Sequence, residues 1–435
     1  MKFLYKESCK TTDRKLKSLG GDLFSYLEHL TSCVKNGGYE FSESAINLPS
    51  DKALLEEITS LAKEKRTKEL KYIFLIGIGG SNLGSKALYE AMYKFSDQFE
   101  YRVPKIFFLD TVNSRLLITT QTFIREKLND PKEFIVITTT KSGKTTETAT
   151  NVEVVFEALS KKFTKTDIYN RMVVITDKES PLWNEAKDKN ISTLSIPKMV
   201  AGRNSVLSPT GLFPMTLAGL WDTGAFLKRA EEMRDTCLIN DIENNPALLS
   251  ALITYHHYTK GKTIVNSFFF NSEFESVGRW YTQLLAESVG KKHNSDGVTK
   301  RIGVTPTVSI GSTDLHSVLQ LYLDGPDDKL TTFVWFNREG NIELPEKSEF
   351  GLVDMIEGKT SDDVISAIYE ATKRAYKKEG LPFVEVVLED FSDLGAFMQF
   401  KIMEVMYLAK LLGVNAFDQP AVEYYKKETR NLLEG

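Results

Sequence analysis

The chain has 435 residues, 42% of them hydrophobic and 26% charged, with a formal net charge of −4; a chain of this size buries large cores and divides into two or three domains. So small a charge, with no Lys/Arg cluster interleaved with aromatics, argues against nucleic acid or an anionic membrane as partner. The N-terminal stretch Met1–Ser8 lacks an apolar segment with a cleavage site, no apolar run approaches about 18 residues, and Cys9, Cys33 and Cys237 lie far apart without C-x-x-C spacing, so we expect a cytoplasmic protein without disulfides or a thiolate zinc site.

Residues 1–70 carry polar-faced helical patterns, among them Arg14–Val34 and Lys52–Lys71. A strand, Tyr72–Ile76, then opens into the loop Gly77-Ile78-Gly79-Gly80-Ser81-Asn82-Leu83-Gly84 and a helix, Ser85–Phe95. A strand Lys105–Asp110 and a helix around Ser114–Leu128 precede a second arrangement of this kind. There the strand Glu133–Ile137 opens into Thr138-Thr139-Thr140-Lys141-Ser142-Gly143-Lys144-Thr145 and a helix through Thr146–Phe163. Both loops offer what a phosphate oxygen needs: backbone N–H groups, the positive end of a helix dipole, small hydroxyl donors and a nearby ammonium. Neither is a nucleotide loop, because a Rossmann fingerprint wants glycine where Asn82 stands and a P-loop wants glycine where Thr138 stands. Ordinary strand-to-helix turns, with Gly and Ser as turn formers and caps, remain the alternative.

Strands Met172–Thr176 and Thr193–Ile196 continue the alternation, which implies a parallel sheet covered by helices. In Ala201-Gly202-Arg203-Asn204-Ser205, the glycine permits close backbone approach; the Arg203 guanidinium either meets developing negative charge or pairs with a surface carboxylate. Pro209, Gly211, Pro214 and Gly219 punctuate a helical stretch leading to Trp221, and Ala225–Cys237 reads as the helix that ends the first domain. The alternation then restarts with a helix Pro246–Lys260, a strand Thr263–Phe270 and a helix Glu275–Gly290. Gln283 and Glu287 share a face of that last helix. A carboxylate beside Trp280, Leu284 and Leu285 suits general-base work, although a solvated Glu287 pairing with Lys291 is the plainer reading.

A strand Thr307–Ile310 leads to Gly311–His316 and a helix Leu315–Leu323, which puts His316 at a helix start beyond a strand end, where open α/β sheets collect ligands. Asp314 as a simple N-cap with His316 half-buried is the alternative. Strands Thr331–Phe336 and Phe383–Leu388 complete a second α/β unit of similar plan, followed by a long amphipathic helix, Leu394–Leu412. Finally Asn415-Ala416-Phe417-Asp418-Gln419-Pro420 starts a closing helix, Ala421–Leu433, with Lys426 two turns in; a lysine so placed is ordinarily a solvated surface charge.

Taken in this order, the segments Gly77–Gly84, Thr140–Thr148, Gly202–Gly211, Gln283–Lys291 and Phe417–Lys426, with Gly311–His316 as a sixth, resemble the glucose-6-phosphate isomerase (phosphoglucose isomerase) family in its compact bacterial form. The resemblance implies an α/β fold of two sugar isomerase (SIS) domains, each a mostly parallel sheet flanked by helices, with N- and C-terminal helical segments. Its boundaries here are an N-terminal helical segment 1–60, a first SIS domain 61–240 with the phosphate loops, a second SIS domain 241–412, and a loop and helix 413–435 completing the site. It implies interconversion of glucose 6-phosphate and fructose 6-phosphate through a cis-enediol, without metal or organic cofactor. Ser81, Thr140, Lys141, Ser142 and Thr145 would hold the phosphate, Gly80 would bind substrate beside them, and Gln283 and Gln419 would hold the sugar hydroxyls. Glu287 would be the base, Arg203 the cation that stabilises the enediolate, and His316 and Lys426 the groups that open the ring. The histidine comes from the partner subunit in this family, so a homodimer is implied.

Four positions depart from the family pattern: Ala201, Ala421 and Tyr425 stand where glycine is common, and Asn204 where an aromatic residue is frequent. Two other classes are disfavoured. A phosphosugar-sensing SIS module has no need of Glu287, His316 and Lys426 together, and a sugar kinase built on Gly143-Lys144-Thr145 needs the glycine missing at Thr138.

Overall fold

The computed structural model describes residues 1–99, 104–219, 222–337 and 340–434, so the expected helix end at Trp221 lies outside the described residues. Two compact units emerge. One comprises His29–Glu231 with Arg279–Leu284, the other Met1–Glu28, Glu232–Gly278 and Leu285–Gly435. The strands, in chain order, are β1 (Lys2–Leu4), β2 (Tyr72–Ile76), β3 (Lys105–Leu109), β4 (Phe134–Thr139), β5 (Met172–Thr176), β6 (Ser192–Ser195), β7 (Ile264–Phe269), β8 (Lys291–His293), β9 (Thr299–Ile302), β10 (Thr305–Ile310), β11 (Lys329–Phe336) and β12 (Phe383–Leu388).

In the first unit β3, β2, β4, β5 and β6 form one wholly parallel sheet in that order. A parallel strand covered by helices on both faces has no side for water, which is why β2 reads Tyr-Ile-Phe-Leu-Ile and is buried at every position. Phe74, Phe134, Val136 and Val174 join Ile124 and Leu159 of the covering helices in one core, and Tyr72 meets Phe123 edge-on at 4.7 Å between ring centres. The chain passes from β2 outward to β3 and returns on the other side to β4. The carboxyl ends of β2 and β4 are therefore the switch point at which an open parallel sheet presents its binding crevice.

In the second unit the order is β1, β12, β11, β7, β10, parallel except for the short β1, which runs antiparallel to β12. Its core stacks Phe268, Phe270 and Phe333 against Tyr369 and Tyr376. β1, the hairpin of β8 with β9, and the helix Ser361–Lys378 were not foreseen in the sequence.

Two expectations are corrected. Arg14–Val34 is two helices, Asp13–Gly20 and Phe24–Asn36, joined by a turn at Gly21–Leu23. Gly20, where the first ends, lies so close to Ile242 that a Cβ there would fall 2.5 Å from the isoleucine methyl. The helix Asp393–Leu412 is not amphipathic, since every residue from Asp393 to Ala409 is buried. Three of its charged members have partners instead of solvent: Asp393 takes the Met1 ammonium at 2.7 Å, and Lys401 pairs with Glu404 at 2.8 Å. Glu404 also accepts the Ser250 hydroxyl at 2.5 Å, from the adjoining helix Pro246–Thr259. Among the described residues no helix is long and apolar enough to cross a membrane.

Candidate active site

In the first unit three loops meet beyond the sheet. The loop after β2 turns at Gly79, whose φ of +59° is left-handed, and a Cβ at that residue would fall 3.0 Å from the Gln283 amide nitrogen. The following glycine is tighter: a Cβ at Gly80 would fall 2.2 Å from the carbonyl carbon of Gly202 and 2.6 Å from the Arg203 nitrogen. The backbone of the Ser81 loop thus rests directly on that of the Arg203 loop. Ser205 braces the contact, donating to the Gly202 carbonyl at 2.7 Å and to the Gly80 carbonyl at 3.4 Å; sequence reasoning had passed over this serine, whose only signal was its place two residues beyond Arg203. A Cβ at Gly77 would fall 2.9 Å from the Thr139 carbonyl oxygen, so the end of β4 adjoins the start of the same loop.

That second loop curls through Gly143, with φ of +68°. The Thr140 and Thr145 hydroxyls share a hydrogen bond at 2.8 Å, and the Lys144 amide donates to the Ser142 hydroxyl at 3.2 Å. Thr145 stands at the N-cap of the helix Thr146–Ser160, yet its side chain does not cap it. The helix start and its dipole are left to whatever lies in the loop, an arrangement suited to an anion. Lys141 donates to the Lys198 and Val200 carbonyls at 2.7 and 2.9 Å, which ties it to the segment ahead of Arg203. Burial pushes its ammonium below the ordinary lysine value and the neighbouring Arg203 adds to this, against the attraction of Asp177. Arg203 itself is only 2% exposed. Gly80, Ser81, Thr140, Lys141, Ser142, Thr145, Arg203 and Gln283 all belong to this one unit.

In the second unit Glu287 occupies the last turn of the helix Glu275–Val289, half-buried, one turn beyond Gln283 on the same face. The Lys291 ammonium donates to the Glu287 backbone carbonyl at 2.7 Å and to the Asp418 carbonyl at 2.6 Å, and lies 3.1 Å from the Asp418 carboxylate. It joins the end of the helix that carries Glu287 to the segment just before Gln419, a role that the four-residue spacing from Glu287 did not suggest. Lys426 lies on the helix Pro420–Glu434 and pairs with Glu423 at 2.8 Å. His316 is exposed, and it is not at a helix start: the expected helix Leu315–Leu323 is a turn, Thr313–His316, followed by a short helix, Leu319–Asp324. The reason lies in Asp314, which does not cap a continuous helix. Its carboxylate reaches back to the Ile310 amide at 2.7 Å and forward to the Ser317 hydroxyl at 2.9 Å, closing the turn on itself.

Comparisons with known proteins point to one family. A family model described as phosphoglucose isomerase matches residues 41–434. A probable glucose-6-phosphate isomerase of Methanococcus maripaludis is 32% identical over 97% of this chain and 90% of its own length. A glucose-6-phosphate isomerase of Methanocaldococcus jannaschii is 33% identical over 85% and 86%. Among solved structures, a hypothetical protein from Thermus thermophilus superposes with a TM-score of 0.86 at 29% identity, covering 100% of both chains. A glucose-6-phosphate isomerase from Chlamydia trachomatis shares the fold with a TM-score of 0.82 at 21% identity, covering 99% of this chain and 88% of that one.

Proposed function

The chain belongs to the phosphoglucose isomerase family, and from that premise we propose how its residues interconvert glucose 6-phosphate and fructose 6-phosphate. Its activity is that of an aldose-ketose isomerase (EC 5.3.1.9), a glycolytic step carried out on an SIS-type α/β fold. Ser81, Thr140, Lys141, Ser142 and Thr145 hold the phosphate, and Gly80 binds substrate beside them. Gln283 and Gln419 bind sugar hydroxyls. His316 and Lys426 move protons at the ring oxygen and the anomeric hydroxyl, so that the carbonyl is released. Glu287 takes the proton from C2 of the open aldose and returns it to C1, and Arg203 stabilises the enediolate between the two transfers. In the reverse direction the same carboxylate takes a C1 proton and delivers it to C2.

The observation that carries this reading is the seating of Gly80 on Gly202 and Arg203, with Gln283 beneath Gly79. One backbone platform thereby links phosphate loop, cation and hydroxyl ligand, and Gln283 lies one helical turn from the carboxylate. To the same proposal belong a homodimer in which His316 serves the site of the other subunit, as its exposure fits, a cytoplasmic location, and no nucleic-acid or membrane partner. The division into a helical segment 1–60, SIS domains 61–240 and 241–412, and a site-completing 413–435 is likewise proposed.

Fructose 6-phosphate incubated in D₂O and followed by NMR tests the assignment of the base. The wild-type protein should form glucose 6-phosphate carrying deuterium at C2. Glu287→Gln keeps shape and hydrogen bonding but removes the base, so turnover should fall about 10²–10⁴-fold while the sugar phosphate still binds. Near wild-type deuterium incorporation by this variant would overturn the mechanism.

A further inference from the structure

We infer that Lys291 is a positioning residue for the isomerisation, fixing the closing helix Pro420–Glu434 to the end of the helix that carries the base; this rests on the roles proposed above for Glu287, Gln419 and Lys426. The Lys291 side chain is 7% exposed, whereas Asp418, its partner, is 49% exposed. A buried ammonium must have its donors matched, and here two of them go to main-chain carbonyls. Carbonyl oxygens cannot move aside by changing rotamer, so the ammonium pins one stretch of backbone to another. One carbonyl is that of Glu287, and the other belongs to Asp418, directly before Gln419.

The rest of the loop is fastened in the same direction. The Ser295 amide and hydroxyl both donate to the Gly413 carbonyl, at 2.7 and 3.0 Å. Asn415 accepts from the Phe417 amide at 2.9 Å and donates to the Asp418 carboxylate at 3.2 Å. Beyond this loop the helix Pro420–Glu434 contains no buried residue. Its most covered stripe, Val422, Lys426 and Thr429, is only half-buried, so its placement depends on how it leaves Asp418 as well as on that shallow face. Lys426 lies two turns along, where a small tilt at Asp418 becomes a larger displacement of its ammonium. A lysine beyond a helix C-terminus also complements the helix dipole, but that role would appear as stability alone.

A mutant cycle separates the two. With fructose 6-phosphate as substrate, Lys291→Met should lower kcat about tenfold with KM changed less than about twofold, because the phosphate loops are untouched. Lys291→Arg, which keeps donors and charge, should recover part of the loss. In a Gln419→Ala/Lys426→Ala background the same substitution should cost no more than about twofold further, since the groups it positions are already gone. Full multiplication of the two losses, or a fall in Tm with kcat unchanged, would overturn the inference. If Gln419→Ala/Lys426→Ala leaves kcat intact, the proposed roles of those residues fail, and the inference with them, an outcome distinct from multiplication. Should Lys291→Met not fold, Asp418→Asn in the same cycle takes its place, with an expected loss of about threefold from removal of the ion pair alone.

Discussion

Gly80 shows how little room a site of this kind leaves to a single residue. Its missing side chain is the gap into which the Gly202 peptide fits, and the atoms a Cβ would strike are backbone on both sides. Gly80→Ala cannot be absorbed by a rotamer change, so the Arg203 loop must move away. We expect kcat/KM on fructose 6-phosphate to fall at least about tenfold, with a stability loss of about 1–3 kcal/mol measured by denaturant unfolding. An alanine variant with wild-type kinetics would show that the contact is not needed for catalysis. At this scale the sequence was legible where chemistry is local. The hydroxyls and glycines of 77–84 and 140–145 mark tight strand-to-helix loops by their types and order, and the left-handed Gly79 and Gly143 lie in them. It was illegible where a residue works through a distant one: Lys291 and Asp418 are 127 positions apart.

At the scale of elements, strands β2, β5 and β12 match their expected limits to the residue, because each is a short run rich in β-branched or aromatic residues, broken only by Glu385 in β12, with polar or turn-forming residues on both sides. The helix Ser361–Lys378 was missed although its start carries a capping box between Thr360 and Asp363. The helix Pro246–Thr259 holds a different lesson. His257 donates from Nε2 to the Cys9 carbonyl at 2.7 Å, fastening the N-terminal segment to this helix. Burial depresses its pKa to about 4, below the ordinary 6.5, with the neighbouring His256 and nearby lysines adding to the effect. Between these values the unfolded chain binds a proton that the folded one refuses. The folded state should therefore lose stability as the pH falls from 6.5 toward 4. Unfolding free energies measured across that window should decline less steeply for His257→Gln, which keeps a donor but does not titrate. Identical slopes would assign the decline to other groups.

For the whole molecule, the proposed dimer makes a prediction that a monomer cannot meet. If each site combines Glu287 of one subunit with His316 of the other, Glu287→Gln and His316→Ala are each impaired alone but complement one another when co-expressed. Random pairing makes half of the dimers mixed, each with one intact site of its two, so activity should recover to about a quarter of wild type. No recovery in purified mixed dimers would place both residues in the same subunit's site. What the sequence determined by itself was the alternation of strands and helices and the small-residue composition of the two loops proposed to meet phosphate, because both are local: periodicity in the one case, residue type and order in the other. Tertiary structure decided what depends on partners far along the chain. β1 is too short to announce itself and exists through its pairing with Glu385–Val387. The helix Asp393–Leu412 reads as amphipathic until Met1 and Ser250 arrive to match its buried polar groups. The loop that carries Gln419 owes its course to Lys291, whose partner Asp418 is met only once the fold is closed.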